Sequence, residues 1–153
     1  MFFGADAHTR CVLEGRRSLL SLHSTECDLA MICHCILSHG LNSSPKAVKV
    51  SALAKVAERL GWTTARPDYS DIDASSDIRD VSRRLEGLLD YTKNVEGPLV
   101  LVGSSMGAYI SALASLKVNT AAVFLMAPPV ALPGYPQRLD AANVPMHVVH
   151  GWH

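Results

Sequence analysis

The chain has 153 residues, 48% of them apolar, with 14 basic and 14 acidic side chains and a formal net charge of zero. That length suits one domain with enough apolar material to bury a core. Balanced charge argues against an electrostatic nucleic-acid binder, which carries a basic patch or stripe. No apolar stretch approaches the ~18 residues of a membrane span.

Residues 1–30 have no sustained period and mix Gly, Ser, Thr, His and Arg. Residues 1–11 lack the basic start and long apolar run of a signal peptide. Two readings of the extension stand side by side. Either the native protein begins at Met31 and the leader is extraneous, or the segment is an ordinary extension or a short additional helix around Arg17–His23. The domain proper is expected over residues 31–153.

Regular patterning begins at Met31. Ile32–Ser38 is a short apolar run that predicts a buried strand, closed by the turn His39-Gly40. Ser44 and Pro45 supply an N-cap and a first-turn proline. Val50, Leu53, Ala54, Ala57 and Leu60 follow at helical spacing, and Gly61 suits the stop. Trp62–Arg66 predicts a second strand ended by Pro67. A polar loop through Asp71, Asp73 and Ser75 comes next. Ile78, Val81, Leu85, Leu88 and Leu89 form an apolar helical stripe, with Arg79, Asp80, Arg83, Arg84 and Glu86 away from it. Gly97-Pro98 breaks the chain before a third strand, Leu99–Val102. A helix is expected from Met106 to Leu116, a fourth strand at Ala121–Met126, a proline-rich loop, and a fifth strand at Pro145–His150. Strands that are continuously apolar and alternate with helices predict an α/β fold: a mostly parallel sheet of about five strands with helices on both faces.

The four cysteines are Cys11, Cys27, Cys33 and Cys35. Cys33 and Cys35 sit two apart on the first strand and share a face, which places them poorly for a mutual disulfide. Reduced thiols and a cytoplasmic setting follow. Cys33, His34, Cys35 and His39 lack the paired spacing of a zinc site, so the cysteines read as core residues rather than metal ligands.

The segment that carries chemistry is Gly103-Ser104-Ser105-Met106-Gly107, a G-x-S-x-G pattern. By composition alone, such a match in a chain of this length is roughly a 5% event, so context decides. Here the pattern directly follows a buried strand and opens a helix, the setting of a nucleophile elbow. The tight turn lifts a hydroxyl above the sheet edge. Glycines at 103 and 107 let neighbouring backbone approach, and the helix N-terminus faces developing negative charge. A plain loop or a phosphate cradle is the competing reading, but neither G-x-x-x-x-G-K-[ST] nor G-x-G-x-x-G is present. Only Ser105 has glycine at both minus two and plus two, so Ser104 is expected to pack beneath the turn.

On the run from Cys35 to Gly40, the elbow from Val102 to Ala108, and the run from Val148 to His153, residues 31–153 resemble a small α/β-hydrolase. The likeness is to the lidless carboxylesterase, thioesterase and dienelactone-hydrolase-like branches. It implies Ser105 as nucleophile and the backbone amides of Leu41 and Met106 as oxyanion donors. Gly40, Gly103 and Gly107 would support the turns. His39 would either bond to backbone or act directly. In such relatives the triad acid and histidine follow the serine in chain order, which would place both beyond His153. Asp140 precedes the fifth strand and fits poorly as the acid. His147, His150 and His153 lie on or beside that strand and fit poorly as the base. The chain therefore reads as a partial α/β-hydrolase, truncated at its C-terminus, whose complete form cleaves a small carboxylic ester or thioester without cofactor or metal. A non-catalytic binding module or inactive fragment, and an acyltransferase using the same serine, remain as alternatives. No nucleic acid or membrane partner is implied. An exposed fifth-strand edge would invite self-association.

Overall fold

The computed structural model describes residues 31–75 and 80–151. The extension over residues 1–30, Ile78, Arg79, Trp152 and His153 lie outside the described residues, as do the expectations that rest on them. The elements are β1 (His34–Ser38), α1 (Val48–Arg59), β2 (Thr63–Ala65), α2 (Ser70–Ser75), α3 (Val81–Thr92), β3 (Leu99–Ser104), α4 (Met106–Ser115), β4 (Ala122–Met126) and β5 (Met146–Val149).

The five strands form one sheet in the order β2-β1-β3-β4-β5, and every neighbouring pair is parallel. From β1 the chain first moves outward to β2, then returns to lay β3 on the other side of β1. The reversal makes a topological switch point between β1 and β3, at whose strand C-termini α/β proteins place their sites. The register brings Ser38, Gly103, Leu125 and Val148 into one row across the sheet.

Side chains alternate across the strands and sort into two layers. Cys35, Leu37 and Val102 pack with Val50, Ala54 and Ala57 of α1. Ile36 and Leu101 pack on the opposite face with Val81 and Leu88 of α3 and with Met106, Tyr109 and Ile110 of α4. Helix α4 also covers Val123 and Leu125 through Ala108 and Ala112.

Three local expectations are corrected. Helix α1 starts at Val48 rather than at Ser44-Pro45. The Ser44 hydroxyl accepts the Lys46 amide at 3.3 Å and its carbonyl accepts the Ala47 amide at 3.0 Å, so a local turn closes first. Leu60, counted in the apolar stripe, is 63% exposed, because the helix has ended and Gly61 turns the chain at φ 79°. Residues 70–75 form the short helix α2 rather than a loop. Asp68 accepts the Ser70 amide at 2.9 Å, and Asp71 and Asp73 lie in the first turn, where negative charge is favoured.

Candidate active site

Ser105 is the junction between β3 and α4, with φ 54° and ψ −122°. That conformation is costly for a residue with a side chain, of order 1–3 kcal/mol. Its backbone is held from both sides. The Ser105 amide donates to Met126 O at 2.8 Å, and its carbonyl accepts from Ala108 and Tyr109 at 2.9 and 3.2 Å. The result is one exposed residue between buried stretches 101–104 and 106–112. Ser104 is 8% exposed, beneath the turn.

Two glycines make this turn possible. A Cβ on Gly103 would lie 2.3 Å from Gly107 O, and one on Gly107 would lie 2.2 Å from Ser38 O. The elbow therefore seats directly on the end of β1, where the turn at His39 and Gly40 begins. A methyl on Gly40 would stand 3.4 Å from Ser105 Cβ and 3.9 Å from Ser105 Oγ. The turn after β1 and the exposed hydroxyl thus share one small space. Beside it, a cleft of about 240 Å³ opens between Gly40, Ser104 and the first turn of α1.

His39 is fully buried. The Tyr69 amide donates to its Nε2 at 3.2 Å, so the ring hydrogen sits on Nδ1 and is donated to Gly40 O at 2.7 Å. Burial moves its pKa below the usual histidine value, against the pull of the Gly40 bond. Both nitrogens are committed to backbone, which places His39 as a brace of the turn rather than a base. Tyr69 is equally buried. Its hydroxyl meets Ser38 Oγ at 3.0 Å, and burial pushes its pKa up to about 12.

The residues that sequence reasoning misplaced are Asp73 and Arg84. Arg84, expected on the polar side of its helix, is 2% exposed. Its Nε and Nη2 donate to Asp73 Oδ1 and Oδ2, each at 2.8 Å, and Nη2 also donates to Gly40 O at 3.2 Å. Its guanidinium carbon lies 4.6 Å from the centre of the Tyr69 ring, while among the described residues Nη1 has no hydrogen-bond partner. Asp73 Oδ2 further accepts the Asn42 amide at 2.8 Å. A signal for Arg84 existed: it stands three residues after Val81 and four before Leu88, on the buried face of α3.

Leu41 follows Gly40 and packs partly against the α3–α4 core layer. Met106 opens α4 with its side chain buried. Asp140 pairs with Arg138 at 3.0 Å. His147 on β5 and His150 just beyond it are exposed, and no hydrogen bond joins either to Ser105. Cys33, just before β1, and Cys35 are buried, and burial pushes the Cys35 thiol up to about 12. Among the described residues no three His, Cys, Asp or Glu side chains gather in a metal-binding group. No described helix is long and apolar enough to cross a membrane.

The profile of the α/β hydrolase family matches residues 17–152. A crystal structure from Xanthomonas campestris pv. campestris, described as a hydrolase of the α/β superfamily, is 53% identical with a TM-score of 0.74. The match covers 78% of this chain and 72% of that one. Mouse α/β hydrolase domain-containing protein 10 is 26% identical with a TM-score of 0.54, over 63% of this chain and 41% of that one. A metagenome-derived lipolytic enzyme shares the fold at 19% identity and a TM-score of 0.55, over 66% of this chain and 44% of that one. Among curated proteins, none matches. With its all-parallel sheet and a family profile spanning most of its length, the chain belongs to the α/β hydrolase family.

Proposed function

We propose that the chain carries the nucleophile-bearing core of a serine hydrolase that cleaves a small carboxylic ester or thioester. The observation that carries this reading is the exposed Ser105 held at φ 54° between a buried strand and helix, with Gly40 against its hydroxyl. A strained, outward-facing serine at a strand-to-helix turn is the geometry of a nucleophile elbow. Ser105 Oγ attacks the carbonyl carbon, and the Leu41 and Met106 amides receive the oxyanion. The alcohol or thiol then leaves with a proton, giving an acyl-enzyme that water releases as the acid. The cleft between Gly40 and α1 takes part of the substrate.

Serine needs a base to react this way, and no described histidine is hydrogen-bonded to Ser105. That observation favours a second reading, a non-catalytic binding module that keeps the elbow. An acyltransferase differs only in the acceptor that reaches the acyl-enzyme. The buried Cys35 thiol, whose pKa burial raises to about 12, favours a reducing, cytoplasmic setting. A fluorophosphonate probe with peptide mapping separates the readings. Labelling at Ser105 that vanishes in Ser105→Ala supports the hydrolase, and absence of labelling in folded protein means an unactivated serine and favours the non-catalytic module or inactive fragment. Product analysis with added alcohols or amines then distinguishes hydrolysis from acyl transfer.

A further inference from the structure

We propose that Asp73 and Arg84 are positioning residues of the oxyanion hole: together they aim the Leu41 amide at the carbonyl oxygen of the substrate. This rests on the reading of Ser105 as nucleophile and of Leu41 N–H as oxyanion donor.

The argument starts from the peptide unit between Gly40 and Leu41. A peptide is planar and trans, so its carbonyl oxygen and amide hydrogen point in opposite directions. Whatever fixes Gly40 O therefore fixes the line along which Leu41 N–H points. Gly40 O is fixed twice, by His39 Nδ1 at 2.7 Å and by Arg84 Nη2 at 3.2 Å. The next peptide is fixed from the other end of the same ion pair, because Asn42 N–H donates to Asp73 Oδ2 at 2.8 Å. Arg84 and Asp73 are themselves joined by two bonds of 2.8 Å, with side chains 3% and 5% exposed.

Leu41 is thus bracketed by one buried pair that holds the carbonyl before it and the amide after it. Asn42 sits at φ 52°, a left-handed conformation that asparagine tolerates better than most residues with a side chain, so the turn is compatible with the bracket around it. Among the described residues the Leu41 amide has no hydrogen-bond partner, which leaves it open to a ligand oxygen. Preorganised amides of this kind act by not having to reorient as charge develops.

The test uses the full chain and the rate at which a fluorophosphonate modifies Ser105. That reaction forms the Oγ–P bond with loss of fluoride and the serine proton, and places a phosphoryl oxygen in the oxyanion site. Saturation kinetics separate probe affinity from the maximal rate. Arg84→Lys keeps a cation beside Asp73 but lacks the fork that reaches Gly40 O as well. It is expected to lower the maximal rate roughly 10- to 100-fold with affinity and Tm close to wild type. The double variant Asp73→Leu, Arg84→Met removes the bracket without leaving a lone buried charge. It is expected to show the same loss, together with rapid hydrogen exchange at the Asn42 amide. Either variant, folded and labelled at the wild-type maximal rate, overturns the positioning role while leaving the nucleophile reading intact. A wild-type chain that is folded but unlabelled means that Ser105 is not activated in this chain, which favours the non-catalytic reading and overturns this inference with it.

Discussion

Gly40 stands against Ser105: a methyl on Gly40 would reach to 3.9 Å from the Ser105 hydroxyl. A carbonyl carbon under attack must approach Oγ to about 3–3.5 Å, so such a methyl would share its space. The fold itself would hardly notice, since the methyl's nearest neighbours lie at the ordinary contact distance of 3.4 Å. Gly40→Ala is expected to lower kcat/KM for a small ester by about tenfold or more, equivalent to ~1.4 kcal/mol of transition-state stabilisation. Its Tm should stay within a few degrees of wild type. Ester kinetics and thermal melts on the same samples check both halves.

Strain at the elbow gives a second prediction. Ser105 holds a backbone conformation that glycine adopts without penalty. Ser105→Gly removes that penalty at the cost of greater freedom in the unfolded chain, which offsets part of the gain. A net gain of about 1 kcal/mol in urea unfolding is expected, with loss of any probe labelling. Gly103→Ala should do the reverse, since its Cβ would lie 2.3 Å from the Gly107 carbonyl oxygen. It is expected to lose about 3 kcal/mol or more, because backbone on both sides must shift.

The strand-to-helix turn at Ser105 was readable in the sequence because its signals are local: an apolar strand, two glycines at fixed offsets and a helix start. The strands were readable as apolar runs, though β1 begins at His34 rather than Ile32, whose side chain is 54% exposed. Helix α2 was not readable, because six residues carry too little periodicity to separate a single helical turn from a polar loop. Asp73 and Arg84 were misplaced for a different reason. Charged side chains are ordinarily solvated, and a buried pair is favourable only when tertiary packing joins two separate elements. The pairing partner of Arg84 lies eleven residues away, across the break between α2 and α3. Spacing with Val81 and Leu88 put Arg84 on the buried face, but nothing local named what it would meet there.

A third prediction concerns pH. His39 is held neutral in the fold, with its pKa lowered from 6.5 chiefly by burial. Arg84 opposes its protonation, while Asp73 and the exposed Asp68, 4.0 Å away, favour it more weakly than burial opposes it. The unfolded chain therefore binds the proton first on acidification. Stability contributed by neutral His39 is full above pH 6.5 or so, and falls as pH drops from there toward the lower folded value. Protonation also removes the acceptor for the Tyr69 amide. Urea midpoints measured between pH 7.5 and 5 should decline for wild type, and His39→Gln should flatten that part of the profile.

The outer strand supports a fourth. Among the described residues β5 pairs only with β4, and Met146, Val148 and Val149 are 43%, 51% and 56% exposed. An apolar edge with free backbone donors and acceptors is a template for pairing with a second copy. Sedimentation of the 153-residue chain is expected to show association that grows with concentration, and Val148→Lys is expected to weaken it. A monodisperse wild-type monomer at high concentration would refute the pairing.

The Asp73–Arg84 pair gives the last, through a comparison of single and double variants. Both side chains are almost wholly buried, so removing one leaves the other as an uncompensated charge, a loss of about 3–5 kcal/mol. Arg84→Met and Asp73→Leu alone are each expected to fall in that range. Together they remove both charges and fill the space with apolar atoms, a replacement that is often neutral or stabilising for a buried pair. Here two backbone groups, Gly40 O and Asn42 N, would also lose a partner. Gly40 O keeps its bond to His39, and Asn42 is exposed enough for water to replace Asp73. The double variant is therefore expected within about 1–2 kcal/mol of wild type, far from the sum of the two singles. Additive losses would mean that each residue contributes independently of the other. Strong non-additivity would mean that the pair contributes little net stability, and that its place beside the turn reflects what it does to Leu41 rather than how much it strengthens the fold.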